Sequence, residues 1–497
     1  MKLSRDYFLK TFRTDVGQME KIVAQALKEG GDWCDLYFEY TTYNELTLRD
    51  SEVTSGGFHI DYGVGVRVLN GERTGYAYSE STDYQDMLSA AKAASVISLS
   101  SRGGNTPLSS RSGSHLSSRP GDTTTLSSGS SAVSGEIYPK PYYQSLHPWA
   151  EASSEAFIPF LKDLEQRIKS RDSRAAKVIA RLSYSYTDIL MFNSLGELTC
   201  DSRPLGSVTV SVIYSSEGRN ESKSASRSFR CGAEMIGEKL CEELVSEATR
   251  GIDALFEARR PKGGKMPVVM GAGASGILLH EAMGHAFEAD FNRKGQSIFA
   301  EKMGQRICPQ GIDIIDDGTI PGNRGACNFD DEGVPGQKTW MVSNGILTSY
   351  LHDRISARHY GVEPTGNGRR ESFRFAPLPR MRATYMGSGT ANPESIIAGV
   401  RKGIYVDEFS NGQVKIGEGD FTFYVKSGFL IENGRLTAPV KDINIIGNGP
   451  QALADILAVG NDLKIDDGTW TCGKEQSVPV SVGMPTVLVK SLTVGGE

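Results

Sequence analysis

The spacing of apolar positions divides the chain into segments of two periods. Val16, Met19, Ile22, Val23, Ala26 and Leu27 recur at three- and four-residue steps over residues 15–29, and Gly30-Gly31 closes that helical pattern. From Asp35 the period falls to two, through Leu36, Phe38 and Tyr40, then Leu46 and Leu48. Val64, Val66 and Val68 lead into Asn70-Gly71, a hairpin-turn pair, and the chain returns through Tyr76 and Tyr78. Residues 83–97, rich in alanine, predict a second helix. Phe157, Phe160, Leu161, Leu164 and Ile168 predict another over residues 151–170. Strands are expected at 178–186, 189–192 and 207–214, and a helix over 233–256. The polar stretch 217–228 is expected to be a turn or a mobile loop. Further strands are expected at 404–409, 414–416 and 421–425, and an apolar helix at 452–459 after the turn signal Gly447-Asn448-Gly449.

Hairpin-linked strands with flanking helices predict an α+β fold built on antiparallel sheets. Four parts are expected: an N-terminal α+β domain (1–97), a Ser/Gly-rich linker or insertion (98–135), a middle α+β domain (136–240) and a C-terminal domain (241–497). The first and third carry no chemical constellation and predict scaffold, whose strands could pair with a partner chain or an extended peptide. Residues 98–135 hold almost nothing to bury, so they cannot offset their ordering entropy, and His115 within them is expected to be solvated. In the C-terminal part, Asp316-Asp317-Gly318, Asp330-Asp331-Glu332-Gly333 and Thr365-Gly366-Asn367-Gly368 mark turns, and Arg369 and Arg370 are expected at the surface.

One stretch carries chemistry. Residues 271–295 read GAGASGILLHEAMGHAFEADFNRKG, and Ile277, Leu278, Leu279, Ala282, Met283, Ala286 and Phe287 give it a helical period. His280, Glu281 and His285 are set among those apolar neighbours as H-E-x-x-x-H. Two neutral imidazoles suit zinc, and a carboxylate beside the first can take the proton of a bound water, so Glu281 is the expected general base. The spacing is one residue longer than the four-residue step that shares a helix face. Five steps at 3.6 residues per turn place the rings roughly 140° apart. The metal reading therefore requires a helix widened or broken at residues 283–285, where Gly284 permits the distortion. The third ligand is open on spacing alone: Glu288, Asp290, His352, His359 and the seven cysteines all qualify.

The run LLHEAMGHAFEADFNRKGQS resembles the signature of the TldD/PmbA family of zinc metallopeptidases. The likeness continues through residues 314–372 and resumes in DDGTWTCGKEQSVPVSVGMPTVLVKSLTVGG, with weaker likeness over 15–95 and 175–230. That family has TldD-like members with H-E-x-x-x-H and PmbA-like (TldE) partners without it; this chain resembles the motif-bearing kind. The resemblance implies a Zn²⁺-dependent peptidase acting on short or unfolded peptides, with Cys472 completing the metal set of His280 and His285. It also implies a homodimer or a heterodimer with a PmbA-like (TldE) paralogue. The rival readings are a non-catalytic partner and a structural zinc subunit, the latter closing its fourth coordination position with protein.

Bulk properties narrow the class. A chain of 497 residues exceeds one compact core. A net charge of −6 gives no basic footprint, so direct nucleic-acid binding is not expected despite the family's link to DNA gyrase modulation. Seven scattered cysteines predict reduced thiols, and no signal-peptide core or membrane-length apolar run is found, so a cytoplasmic location is expected.

Overall fold

The structure, a computed structural model, describes residues 4–100 and 141–495. Six antiparallel strands form the first sheet: β1 (Trp33–Arg49), β2 (Glu52–Asn70), β3 (Arg73–Ser79), β4 (Ala175–Asn193), β5 (Leu198–Ser216) and β6 (Arg219–Phe229). Their order is β3-β2-β1-β4-β5-β6. The strands of residues 1–97 and 136–240 thus share one sheet, joined where β1 pairs with β4 from Asp35↔Asn193 to Arg49↔Ile179. One core on this sheet takes Met19, Ile22, Val23 and Ala26 of the helix Val16–Leu27. A second takes Leu161, Leu164 and Ile168. The α+β class holds, with helices against antiparallel sheets. Beyond its first three residues, the Ser/Gly-rich segment 98–135, His115 included, lies outside the described residues.

Several expected boundaries move for identifiable reasons. The segment 217–228 is not a mobile loop: Glu217 and Gly218 turn the chain at positive φ, and the rest is β6. Its strand signal is faint because serines replace apolar residues, yet Ser207–Ser228 (2.8 Å) and Ser211–Ser224 (3.0 Å) hydroxyl pairs link it to β5. The helix expected over 151–170 begins at Ile158, where Pro159 fits the first turn. The helix expected over 233–256 is two, Glu238–Thr249 and Ile252–Glu257, divided at Gly251 with φ 70°. The helix expected at 452–459 spans Gly449–Ala454, and Ile456–Val459 is a strand instead.

In the C-terminal part, a seven-stranded sheet includes Gly264–Met270, Lys402–Val414, Asp420–Glu432 and Val487–Gly495. A six-stranded sheet includes Ile314–Asp317, Ala383–Met386 and Ser481–Met484. The motif helix leaves Gly264–Met270 through Gly271–Ser275 and shares one core with Met341, Phe423 and Val482. It starts hard against the second sheet: a Cβ on Gly276 would lie 2.5 Å from the Gly483 backbone nitrogen.

The first sheet meets the C-terminal part through buried charge. Arg67 of β2 binds Asp35 of β1 (2.5 Å) and Glu332 (2.6 Å). Arg203 of β5 reaches Asp331 (2.5 Å) and Asp201 (3.0 Å). Arg370 stacks over the Tyr37 ring at 4.1 Å and donates to the Asp331 carbonyl at 2.9 Å. Arg369 and Arg370 are therefore buried, against the surface position expected for them. Arg369 donates to the carbonyls of Met381 and Pro479, and Arg370 takes the acidic and aromatic groups of β1. Pro479 and the β1 groups are too distant in sequence to leave a local trace.

Burial alone would push the Asp331 carboxyl up, but Arg203 and Arg370 outweigh it and hold the group at about 2. Because its folded value lies below the ordinary 3.8, this carboxylate stabilises fully above that pH and loses its contribution as pH falls toward 2. Asp331→Asn removes the carboxylate that Arg203 and Arg370 share, leaving each with one weaker acidic partner, and is expected to cost about 1–3 kcal/mol in denaturant unfolding at neutral pH. That difference from wild type should shrink on acidification through the same window.

Candidate metal centre

The motif helix changes pitch where the spacing requires it. Gly276–Leu279 is α-helical, His280–Gly284 is a π turn, and His285–Phe287 is a 3₁₀ turn. In a π turn residues five apart come over one another, so one extra residue removes the angular gap between the imidazoles. The rings of His280 and His285 lie 5.2 Å apart, nearly perpendicular at 80°. Gly284 is fixed by space: a Cβ there would meet Met381 Sδ at 2.1 Å.

Cys472 arrives from the two-stranded hairpin Thr471–Lys474 and Gln476–Pro479. Its Sγ lies 3.3 Å from His285 Nε2. The nitrogen and sulfur ligand atoms of His280, His285 and Cys472 all fall within 4.8 Å of one another, and all three residues are buried. Neither ring nitrogen of His280 has a hydrogen-bond partner among the described residues. Two imidazole nitrogens and one sulfur form a donor set suited to zinc, and the unpartnered nitrogens of His280 fit a cation placed there. Glu281 sits beside them with its side chain 24 % exposed and Oε2 4.0 Å from His285 Nε2.

The surroundings orient these groups. His285 Nδ1 lies 2.9 Å from Glu288 Oε2. A carboxylate only accepts, so Nδ1 carries a proton and Nε2 is the nitrogen that faces Cys472. Burial alone would push Glu288 up, but Lys474 at 3.1 Å and His285 outweigh it and hold it at about 2. Lys474 also binds Asp290 at 2.7 Å. Burial would likewise push the Cys472 thiol up; the imidazoles of His280 and His285 overcome it and bring it to about 4. Burial disfavours the His285 cation, yet Glu288 and the Cys472 sulfur raise its pKa well above the usual value. Arg380, fully buried, donates to the carbonyls of Cys472 (2.8 Å) and Gln476 (2.9 Å), clamping the sulfur-bearing hairpin.

Of the third ligands left open by spacing, only Cys472 joins the two histidines among the described residues. Glu288 and Asp290 belong to the supporting ring, His352 packs against Tyr350 and Tyr360, and His359 pairs with Glu72 at 2.6 Å. Sequence reasoning missed Lys474 and Arg380. Glu288 carried a usable signal, an acidic residue standing three positions after His285.

The model of the PmbA/TldA metallopeptidase C-terminal domain matches residues 263–496, that of domain 1 residues 34–98, and that of the central domain residues 147–252. A protein named metalloprotease TldD homolog from Haemophilus influenzae is 37% identical over 94% of this chain and 93% of its own. The chain belongs to the PmbA/TldD metallopeptidase family. A second TldD homolog, from Buchnera aphidicola, is 38% identical over the same shares. The fold of this PmbA/TldD member also matches two crystal structures. One is a candidate modulator of a DNA gyrase from Thermotoga maritima, with TM-score 0.73 and 21% identity over 96% of this chain and 99% of that one. The other is TldE from Thermococcus kodakarensis, with TM-score 0.73 and 18% identity over 96% and 100%.

Gly284→Ala drives a methyl into Met381, and is expected to cost about 1–3 kcal/mol by overpacking. Combined with Met381→Ala, the pair should cost less than the sum of the two single changes, measured as a double-mutant cycle in denaturant.

Proposed function

We propose that the chain is a zinc-dependent peptidase that hydrolyses short or unfolded peptides. His280, His285 and Cys472 hold the metal, and Glu281 is the general base. The observation that carries this reading is a buried set of three soft and borderline donors with a carboxylate beside it that reaches solvent. Three protein ligands leave a coordination position for water and substrate, which favours a catalytic over a closed structural site.

When bound, zinc supplies Lewis acidity, lowering the pKa of a coordinated water and polarising the scissile carbonyl. Cys472 binds as the thiolate. His285 presents Nε2 because Glu288 holds the proton on Nδ1. Glu281 takes a proton from the attacking water and returns it to the departing amine nitrogen. Hydrophobic neighbours Leu279, Ala282 and Met283 keep the imidazoles dry, which strengthens each of these interactions.

In this reading, residues 1–97 and 136–240 are scaffold for a catalytic domain at 241–497. A homodimer or a heterodimer with a PmbA-like (TldE) paralogue is proposed, supported by the shared fold with a TldE. The proposed cytoplasmic location is supported by seven free cysteines. No helix among the described residues is long and apolar enough to cross a membrane.

Metal analysis paired with a fluorogenic-peptide assay, run with and without the motif-less paralogue, tests the proposal. Wild type should hold one zinc and cleave. Glu281→Gln should keep the zinc and lose about 10²–10⁴ in kcat/KM. His280→Ala should lose metal and activity together. Zinc held by a wild type that cleaves nothing in either setting would point to the structural role, and full activity in Glu281→Gln would remove Glu281 as the base.

A further inference from the structure

The hairpin that carries Cys472 does not stand on the C-terminal part alone. The residues leading into it, 467–470, are tied to β6 of the first sheet. Ser228 N–H donates to the Asp467 carbonyl at 2.6 Å, Thr469 N–H donates to Ser226 Oγ at 3.2 Å, and Arg227 pairs with Asp467 at 3.3 Å. β6 ends at Phe229, and the chain there also fixes residues 322–324. Phe229 bridges Asn323, Arg230 N–H donates to the Gly322 carbonyl at 2.8 Å, and Arg230 Nε donates to the Arg324 carbonyl at 3.1 Å.

The Arg324 side chain joins these two attachments. Its Nε donates to the Trp470 carbonyl at 2.8 Å and its Nη2 to Thr471 Oγ1 at 3.3 Å, the two residues just before Cys472. On the sheet side, Nη1 donates to Ser228 Oγ at 2.6 Å and to Ser207 Oγ at 3.3 Å, the hydroxyl pair that links β5 to β6. Arg324 and Ser228 are both buried. These acceptors are all neutral, and no carboxylate pairs with Arg324 among the described residues. Burying a cation without an acid is costly; burial, with Arg230 nearby, brings this guanidinium down to about 10. An apolar side chain would avoid that cost, so the contribution of the guanidinium is geometry. A planar fork of donors fixes the spacing between β6 and the hairpin, which a single flexible contact does not. Arg380 holds the Cys472 carbonyl from within the C-terminal part. The backbone that presents the sulfur is thus set between two arginines, and one of them answers to the first sheet.

We propose that Arg324 is a positioning residue for Cys472, carrying the position of β6 to the third ligand of the metal centre. The first sheet thereby sets how tightly the centre closes on its metal. The inference rests on the zinc reading above, and its test separates the two.

Cobalt(II) added to the metal-free full-length protein reports sulfur ligation through a thiolate-to-cobalt charge-transfer band, and chelator competition gives the zinc affinity. Arg324→Met is expected to weaken zinc at least about tenfold and to diminish the band. Arg324→Lys, which keeps a donor for the Trp470 carbonyl, should recover part of both. Ser228→Ala removes the sheet-side anchor and should change both in the same direction as Arg324→Met. Ser211→Ala breaks the other hydroxyl pair between β5 and β6, one with no bond to Arg324, and should change neither. Thermal midpoints of the metal-free variants check the fold, and if Arg324→Met does not fold, the two serine variants decide. A wild type without the band overturns the metal reading and this inference with it. A wild-type band that persists in Ser228→Ala with zinc affinity unchanged overturns the inference alone, as does an equal loss in Ser211→Ala.

Discussion

One extra residue in a single helical turn governs this molecule. Two imidazoles five positions apart face one another only while residues 280–284 keep a π pitch, a rare form found mostly as a single turn within an α-helix. The surroundings enforce it from three sides. Gly276 locks the helix start against Gly483, Gly284 admits Met381 where a methyl would collide, and Leu278, Leu279, Ala282 and Met283 are sunk in the common core. A local distortion persists where the environment over-determines it.

The second theme is buried charge, used at two places for one purpose. At the seam between the first sheet and the C-terminal part, Asp35, Arg67, Arg203, Asp331, Glu332 and Arg370 interlock. Around the metal centre, Glu288, Lys474 and Asp290 do the same. Buried ion pairs add little net stability against an apolar replacement, but an unpaired member is costly. Such sets reject misregistered arrangements. A sheet shifted by one residue would leave guanidinium groups without carboxylates.

How much of this was legible in the sequence depended on the reach of each interaction. Helices and hairpins are local, so the heptad-like spacing at Val16–Leu27 and the Asn70-Gly71 turn were readable. The π turn was readable too, since a five-residue histidine spacing is compatible with one cation only in a widened helix. The β6 strand was hidden because serine carries no burial signal. The buried state of Arg369 and Arg370 was hidden for a different reason. It rests in part on the Pro479 carbonyl and the Tyr37 ring, each more than a hundred residues away, and residue chemistry alone makes an arginine beside a Gly-rich turn look solvated. Cys472 lay between these extremes: no spacing selected it, and only the likeness of its surrounding block to a known family did.

The separation of that sulfur from the histidines along the chain has a temporal consequence. Cys472 and His285 are 187 positions apart. At ribosomal rates of about 5–20 residues per second, the histidine helix precedes the hairpin by about 10–40 s. During that interval the nascent polypeptide has the two imidazoles but not the Cys472 sulfur, and the clamp by Arg380 has nothing to hold. Meeting of the three side chains is thus deferred until the hairpin Thr471–Pro479 has been synthesised.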